Sequence, residues 1–467
     1  MKGKTIKLVI FALVSLACVV LGFAVEPFEG LETGGMRFLA VFVWWIALMI
    51  LDLVPMHVST IAACLLCVLV GVPDAATIAF SQWGSNVVLL MLGAFGIAAS
   101  LSASGLLRRI ALTVVHVAPK KGLAQLLAFE LATMLITPWI PAAVGKQALL
   151  VPISEQIAGQ LGYQPHSRAY TAFFAIVATA TAAFGLCFLT GHGSVATSLA
   201  FIPYTVDWLG WISRTWVYLV VALGLFTLFL VWYFKSSAKK DGAVEVDGAA
   251  LAKAVDEQLA EMGKMGGKEL YSAFVLVLAI VFFLIGGFIG VPAHAVALGA
   301  WLLLAAGGLF SAQDFQTKIN WQIVILVGSI LGLVALLQSS GVAAWIAALT
   351  GPVIAPLAAS PVVLIMVLVL FTYVLRFAMV PPTTILALVC AAFAASPIDP
   401  FVFAFSIMIS AQIWIMSYMN PTVLASMGFT AGRVVQKDLT LSAAAFMAIN
   451  FIALVASVPY WAGLGLL

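Results

Sequence analysis

Apolar stretches of membrane-spanning length follow one another along most of this chain, and that succession restricts its fold more than any single motif does. A helix needs about 20 apolar residues to cross the hydrocarbon core of a bilayer, and the chain offers roughly ten such stretches. They run over 8–25, 36–51, 56–71, 86–104, 168–190, 213–234, 270–289, 293–310, 322–340 and 440–465. Lipid supplies no partners for backbone N–H and C=O groups, so segments of this kind must satisfy themselves as helices. Apolar residues make up 64% of the chain and charged residues 8%, whereas about a quarter of residues are charged in soluble domains. The expected fold is therefore an all-α polytopic membrane protein with no room for a separate soluble domain. The basic, apolar N-terminus reads as a first membrane helix rather than a removed signal, because no small-residue cleavage site precedes Glu26.

The five cysteines, Cys18, Cys64, Cys67, Cys187 and Cys390, all fall in apolar stretches. Cys64 and Cys67 have CxxC spacing but no polar surroundings, so they are read as small packing residues, and neither disulfides nor a metal centre is expected. Basic residues cluster in cytoplasmic loops. Placing Lys2, Lys4 and Lys7 inside puts most of the remaining Lys and Arg inside as well, with Arg37 and Arg214 outside. This gives a cytoplasmic N-terminus, an odd number of crossings and a multi-pass protein of the cell (inner) membrane. The one long polar stretch, 235–269, is a cytoplasmic linker whose middle, Ala249 to Met262, carries charges at helical spacing. It separates an N-terminal half, 1–234, from a C-terminal half, 270–467.

The halves resemble one another. Residues 87–112 align without a gap on 323–348, pairing Val88 with Val324, Leu90 with Leu326, Gly96 with Gly332, Ser104 with Ser340, Gly105 with Gly341 and Ile110 with Ile346. On the charge-derived orientation the two copies run in opposite directions, so they form an inverted repeat, the signature of alternating-access transporters. In such folds the substrate is held near the midplane by interrupted helices. Each half has two interrupted apolar segments: 136–153 and 189–203 in the first, 376–388 and 417–429 in the second. Pro, Gly, Ser, Thr and Asn gather there between apolar flanks, which predicts re-entrant hairpins at about 122–153 and 353–397 and broken helices at about 168–203 and 400–430.

Two cations, Lys146 and Arg376, lie inside these segments. An intramembrane charge is costly and marks a functional site by default. Lys146 either faces a substrate or snorkels from a shallow hairpin to the cytoplasmic surface; Arg376 either lines the site or ends its helix at the outer surface. His192, in the GHGS break, is a candidate substrate or proton ligand, or else a partner for freed carbonyls. Ser194, Thr197 and Ser198 share its segment, and Asn420, Thr422 and Ser426 occupy the matching one; each could equally satisfy its own backbone. Thr383 and Thr384 lie at a predicted tip. Glu130 is read as a proton site or as the partner of a base such as Lys121. Trp44, Trp45, Trp208, Trp211 and Trp216 are read as interfacial or scaffold residues.

The stretch INWQIVILVGSILGLVALLQSSGVAAWIA with its first-half partner, VPMHVSTIAACLLCVLVGV, the linker before GKELYSAFV, and NPTVLASMGFTAGRVVQKDL resemble the divalent anion:sodium symporter family, carriers of di- and tricarboxylates and, in some members, sulfate. The resemblance implies eleven crossings with two re-entrant hairpins, and a homodimer in which a transport domain moves against a scaffold. It also implies a Ser-Asn-Thr motif at each hairpin tip, holding substrate and helping to form sodium sites. Anchored on Val151 and Pro152, the first motif falls on Ala142, Ala143 and Val144, and the second falls near Pro381, Pro382 and Thr383. Sodium is the ion the family brings into view, but Ala and Val side chains offer no oxygen to a hard cation, which argues against it.

The expected function is secondary transport of a small anion, a di- or tricarboxylate first, by alternating access as a sodium-independent exchanger. Lys146, together with Arg376, would then supply the positive charge that sodium supplies elsewhere. A sodium- or proton-coupled symporter for sulfate or a sulfonate is the alternative within the class, and a channel is the alternative outside it. No HExxH pair, metal-ligand spacing or phosphate-binding GK[ST] loop points to an enzyme or to a cofactor, and nothing suggests a nucleic acid as partner. The expected partners are the anion, the bilayer and a second copy of the chain.

Overall fold

The computed structural model describes residues 2–241, 248–394 and 396–467. All regular structure among them is helical. In chain order the helices are α1 (Lys2–Phe23), α2 (Thr33–Leu51), α3 (Met56–Leu69), α4 (Ala75–Ser81), α5 (Asn86–Ser104), α6 (Leu106–Val117), α7 (Gly122–Ile136), α8 (Ala143–Gln160), α9 (Arg168–Ala182), α10 (Gly193–Leu199) and α11 (Trp208–Lys240). The second half holds α12 (Ala249–Met262), α13 (Gly267–Ile289), α14 (Ala293–Ala306), α15 (Ala312–Thr317), α16 (Trp321–Ser339), α17 (Val342–Ala358), α18 (Pro361–Phe377), α19 (Pro382–Ala392), α20 (Pro400–Ser410), α21 (Pro421–Gly428) and α22 (Gln436–Gly463).

Among the described residues, eight helices are long and apolar enough to cross a membrane, and six further apolar helices are shorter. The shortness has a local cause. The stretch read as one span over 168–190 stops at Ala182 and passes into a 3₁₀ turn at Phe184–Cys187, and α18, α19, α20 and α21 each begin within a residue of a proline. Proline lacks the N–H that a continuing helix needs but fits the first turn, where that donor has no intrahelical partner. The polar linker is narrower than the composition shift suggests, because α11 continues to Lys240 and α13 starts at Gly267; its residues 242–247, and residue 395 of the expected second hairpin, lie outside the described residues.

The helices pack in two groups. One contains α1 to α5 with α13, α14 and α16, and the other contains α7 to α11 with α18 to α22, while α6, α12 and α17 run between them. The two stretches that align in the sequence take the same shape. Each is a long helix, α5 or α16, that ends at a Ser-Gly pair and restarts as a second helix, α6 or α17. Gly105 and Gly341 turn the chain at φ values of 81° and 78°, where a side chain would be strained.

A buried polar knot holds the second group together. Asn450 on α22 accepts from the Tyr218 hydroxyl at 2.7 Å and donates to the hydroxyls of Tyr373 (2.9 Å) and Ser410 (3.0 Å), so α11, α18, α20 and α22 meet on one side chain. Interhelical hydrogen bonds in membrane proteins are worth about 0.6 kcal/mol each on average, and up to about 1.7. Asn450→Leu should therefore cost about 2 kcal/mol, read as a lowered midpoint of thermal unfolding in detergent; an unchanged midpoint would remove the knot from the account of stability.

The tryptophans divide. Trp45 and Trp211 are fully buried core residues, the scaffold branch of the sequence reading, and Trp216 is exposed. Trp45 donates to Thr60 Oγ1 at 3.2 Å. Glu130 on α7 does not pair with Lys121: its carboxylate accepts from the Thr227 hydroxyl of α11 at 3.1 Å, because the side chain points into the α7–α11 contact.

A cavity where four helix breaks meet

Four interruptions, far apart in sequence, surround one cavity of about 300 Å³. The connection between α7 and α8 supplies Pro141, Ala142, Ala143 and Val144, and the break between α9 and α10 supplies His192, Gly193, Ser194 and Thr197. Pro382 and Thr383 come from the start of α19 and Thr422 from the start of α21. All of these belong to the second helix group. The first group closes the opposite wall with Met56 on α3, Asn320 before α16, and Ile323 and Leu326 on it. The cavity therefore lies on the boundary between the groups.

The expected site residues separate into a lining and a backing. Ala142, Ala143, Val144, His192, Ser194, Pro382, Thr383 and Thr422 line the cavity. Lys146, Arg376, Thr384 and Asn420 do not; they are buried behind it. Asn420 caps α21 through its side-chain oxygen, which accepts from the amides of Thr422 (3.1 Å) and Val423 (3.3 Å). His192 caps α10 in the same way, its Nδ1 accepting from the Ser194 amide at 3.0 Å. That bond places the imidazole proton of a neutral ring on Nε2. The helices on the remaining two sides, α8 and α19, follow Ala142 and Pro381 at their N-cap positions with no side-chain cap. Pro382 has no N–H and the Thr384 N–H is taken by the Pro381 carbonyl, so the donors open at these two ends are the first-turn amides of α8 and the Thr383 amide of α19. They lie at the positive end of a helix dipole, a setting that favours an anion.

Lys146 does not snorkel. It is fully buried, and its ammonium donates to the carbonyls of Gly191 (2.8 Å) and Ala180 (3.4 Å), on either side of the α9–α10 break. The glycines of FGLCFLTGHG make that approach possible. A β-carbon on Gly185 would sit 2.5 Å from the Gly191 oxygen and 2.8 Å from Lys146 Nζ. Helix α11 satisfies two more freed carbonyls, Trp211 donating to Leu186 (3.0 Å) and Thr215 to Cys187 (2.8 Å).

Arg376 occupies the corresponding place in the second half. It is 5% exposed rather than at a helix end in solvent. Its guanidinium donates to the carbonyls of Ala411 (3.1 Å), after α20, Val380 (2.8 Å), before α19, and Met419, before α21. Gln436 on α22 donates to Trp414 (2.7 Å) and Ile415 (3.1 Å) in the same break. The α9–α10 and α20–α21 breaks are thus each held by one buried cation and by side chains from a neighbouring long helix. Gln147, beside Lys146, ties the halves together by donating to the Thr422 carbonyl at 2.7 Å.

Sequence reasoning missed Gln147, Pro141, Asn320 and Met408. Asn320 had a readable signal, since an Asn preceding a long apolar helix is an N-cap candidate, and its side chain does accept from Ile323 N–H at 3.3 Å. Met408 and the apolar wall of α16 carried none.

Interrupted helices meeting at a largely apolar cavity with a few polar groups in its wall define a polytopic membrane protein of the carrier type. The family model described as the sodium:sulfate symporter transmembrane region matches residues 4–467, and the chain belongs to that family, the one its sequence resembles. Similar curated proteins include the inner membrane protein YbhI of Escherichia coli, 24% identical over 282 residues, 58% of this chain and 57% of that one. The sodium-dependent high-affinity dicarboxylate transporter 3 of Caenorhabditis elegans is 23% identical over 64% of this chain and 60% of its own length. The chloroplastic dicarboxylate transporter 1 of Spinacia oleracea is 23% identical over 74% and 60%. The chain thus spans less than two thirds of each of these three relatives. The fold is shared with the crystal structure of the Alcanivorax borkumensis YdaH transporter, at a TM-score of 0.57 and 15% identity, covering 99% of this chain and 98% of that one.

Proposed function

We propose that this protein is a secondary carrier for a small anion, a di- or tricarboxylate, working by alternating access as a sodium-independent exchanger. The observation that carries the reading is the pair of buried cations. Lys146 and Arg376 take main-chain carbonyls at three of the four breaks that adjoin the cavity, oxygens of the kind a hard metal ion would otherwise use. Ala142, Ala143 and Val144 leave the first tip without side-chain oxygens for a cation. Positive charge is then part of the protein, and it stays with the site whether or not sodium is present.

The anion would sit between the uncapped N-termini of α8 and α19. Their amides, the Thr383 and Thr422 hydroxyls and His192 are the groups available to its oxygens, and among the described residues no acidic side chain lines the cavity. Dicarboxylate transport by two relatives supports the substrate class. The paired Ser-Gly breaks support an inverted repeat, and the basic loops support a cytoplasmic N-terminus in an inner membrane. A homodimer is the assembly the family resemblance implies.

The test is succinate counterflow in proteoliposomes loaded with unlabelled succinate. Replacing all sodium by choline should change the initial rate less than 2-fold, and removing internal succinate should reduce it at least 10-fold. Uptake that needs a sodium gradient and ignores internal anion would overturn the exchanger reading in favour of symport. Uptake of sulfate or a sulfonate with none of succinate would move the substrate class.

A further inference from the structure

The cytoplasmic segment between the halves is more than a tether. Helix α12 presents Leu251, Val255, Gln258 and Met262 on one face, at spacings of four, three and four residues, which a helix brings into line. Leu251 and Val255 are fully buried in contacts with α6 and α8. Lys253 and Glu257 lie on the exposed side.

The polar contacts of α12 reach both helix groups. At its C-terminal end the carbonyls of Met262 and Gly263 accept from Arg109 on α6, at 3.2 and 3.0 Å. The same guanidinium makes two 2.9 Å bonds to Glu269 of α13, so this end is fixed to the first group. In the middle, Gln258 donates to Gln156 of α8 at 2.6 Å and accepts from Arg108 of α6 at 3.2 Å. Gln156 lies ten residues beyond Lys146 on one helix, about 15 Å along its axis. Arg108 also lines a second cavity of about 400 Å³ that shares Ala142 with the central one.

We propose that α12 is a strap that ties α8, the helix carrying the buried lysine and one wall of the cavity, to α6 and α13. The Gln258–Gln156 bond and the packing of Leu251 and Val255 where α12 meets α6 and α8 hold the two groups in the arrangement seen here, and they open for the groups to shift during turnover. This rests on the transport reading for its effect on rate, but not for the strap itself.

Two measurements separate these. First, Gln156→Cys with Gln258→Cys, with the five native cysteines replaced by alanine, is treated in proteoliposomes with a short bis-methanethiosulfonate cross-linker. Cross-linking should cut succinate counterflow at least 10-fold, reduction should restore it, and each single cysteine should leave it unchanged. Full-rate exchange by a protein shown by mass spectrometry to be cross-linked would overturn the strap. Second, hydrogen exchange is compared between the native protein and Gln258→Ala. Amides of 249–262 should exchange about 10-fold faster in the variant while those of α3 and α16 do not change; unchanged protection of α12 would overturn the proposal. If the reduced protein exchanges no dicarboxylate at all, the transport reading fails, and hydrogen exchange alone decides the strap.

Discussion

Lys146→Met is expected to reduce succinate exchange at least 100-fold while leaving the thermal unfolding midpoint close to that of the native protein. The two expectations come from opposite sides of one balance. Burying an ammonium costs several kcal/mol of desolvation, repaid only where geometry and partners are good. Here the partners are two main-chain carbonyls, one of them at the long distance of 3.4 Å. Methionine removes the desolvation cost and strands the carbonyls, each worth about 1 to 3 kcal/mol when left unpaired, so the net change in stability is small. Transport has no such compensation. Lys146 acts from behind the cavity wall rather than in contact with the anion. A unit charge facing a dianion about 10 Å away is worth about 3 kcal/mol at an effective dielectric of 20, close to the roughly 2.7 kcal/mol that a 100-fold loss needs. Exchange within 3-fold of native would show that Lys146 only pins the break. A parallel fall in stability and transport would give it a structural role, and sodium-stimulated transport in the variant would show that the ion can replace the lysine.

Arg376 should behave differently, because its guanidinium holds three carbonyls from three segments, Ala411, Val380 and Met419. Arg376→Met leaves all three buried and unpaired, and should cost about 3 kcal/mol or more together with all measurable exchange. Arg376→Lys keeps the charge, but a single ammonium cannot match the planar fork of the guanidinium. It should recover part of the stability and less than a tenth of the native rate. The paired readout is thermal unfolding in detergent against counterflow in liposomes. Two variants as stable as the native protein would mean the second break holds itself together, and full exchange by Arg376→Met would remove the arginine from the site.

The candidate site was partly legible because interruptions in apolar runs are visible as residue types. ITPWIPAAVGKQ, LTGHGS, RFAMVPPTT and SYMNPT all stand out against their flanks, and each contributes to the cavity wall or to its backing. What could not be read was the direction of the side chains. Lys146 and Ala142 are four residues apart, yet Ala142 faces the cavity and Lys146 points behind it to Gly191. Asn420 and His192 are polar residues in breaks, and both cap the helices that follow them, Asn420 from behind the cavity and His192 from its wall. Glu130 found Thr227 rather than a lysine, since its partner is set by which helix packs against α7.

Composition and periodicity by themselves determined that this chain lives in a bilayer, that its backbone must be helical there, and where the helices break. Those are consequences of local chemistry: lipid forbids unpaired backbone groups, and clusters of proline, glycine and short polar residues offer the backbone other partners than a continuing helix. Only the tertiary structure decided that the four breaks enclose one cavity, that a separate cation clamps the carbonyls of each half, and that the linker helix joins α8 to α6 and α13. Those depend on contacts such as Gln147 to Thr422 and Gln258 to Gln156. Such pairings are chosen by the packing of whole helices, and no local pattern records them.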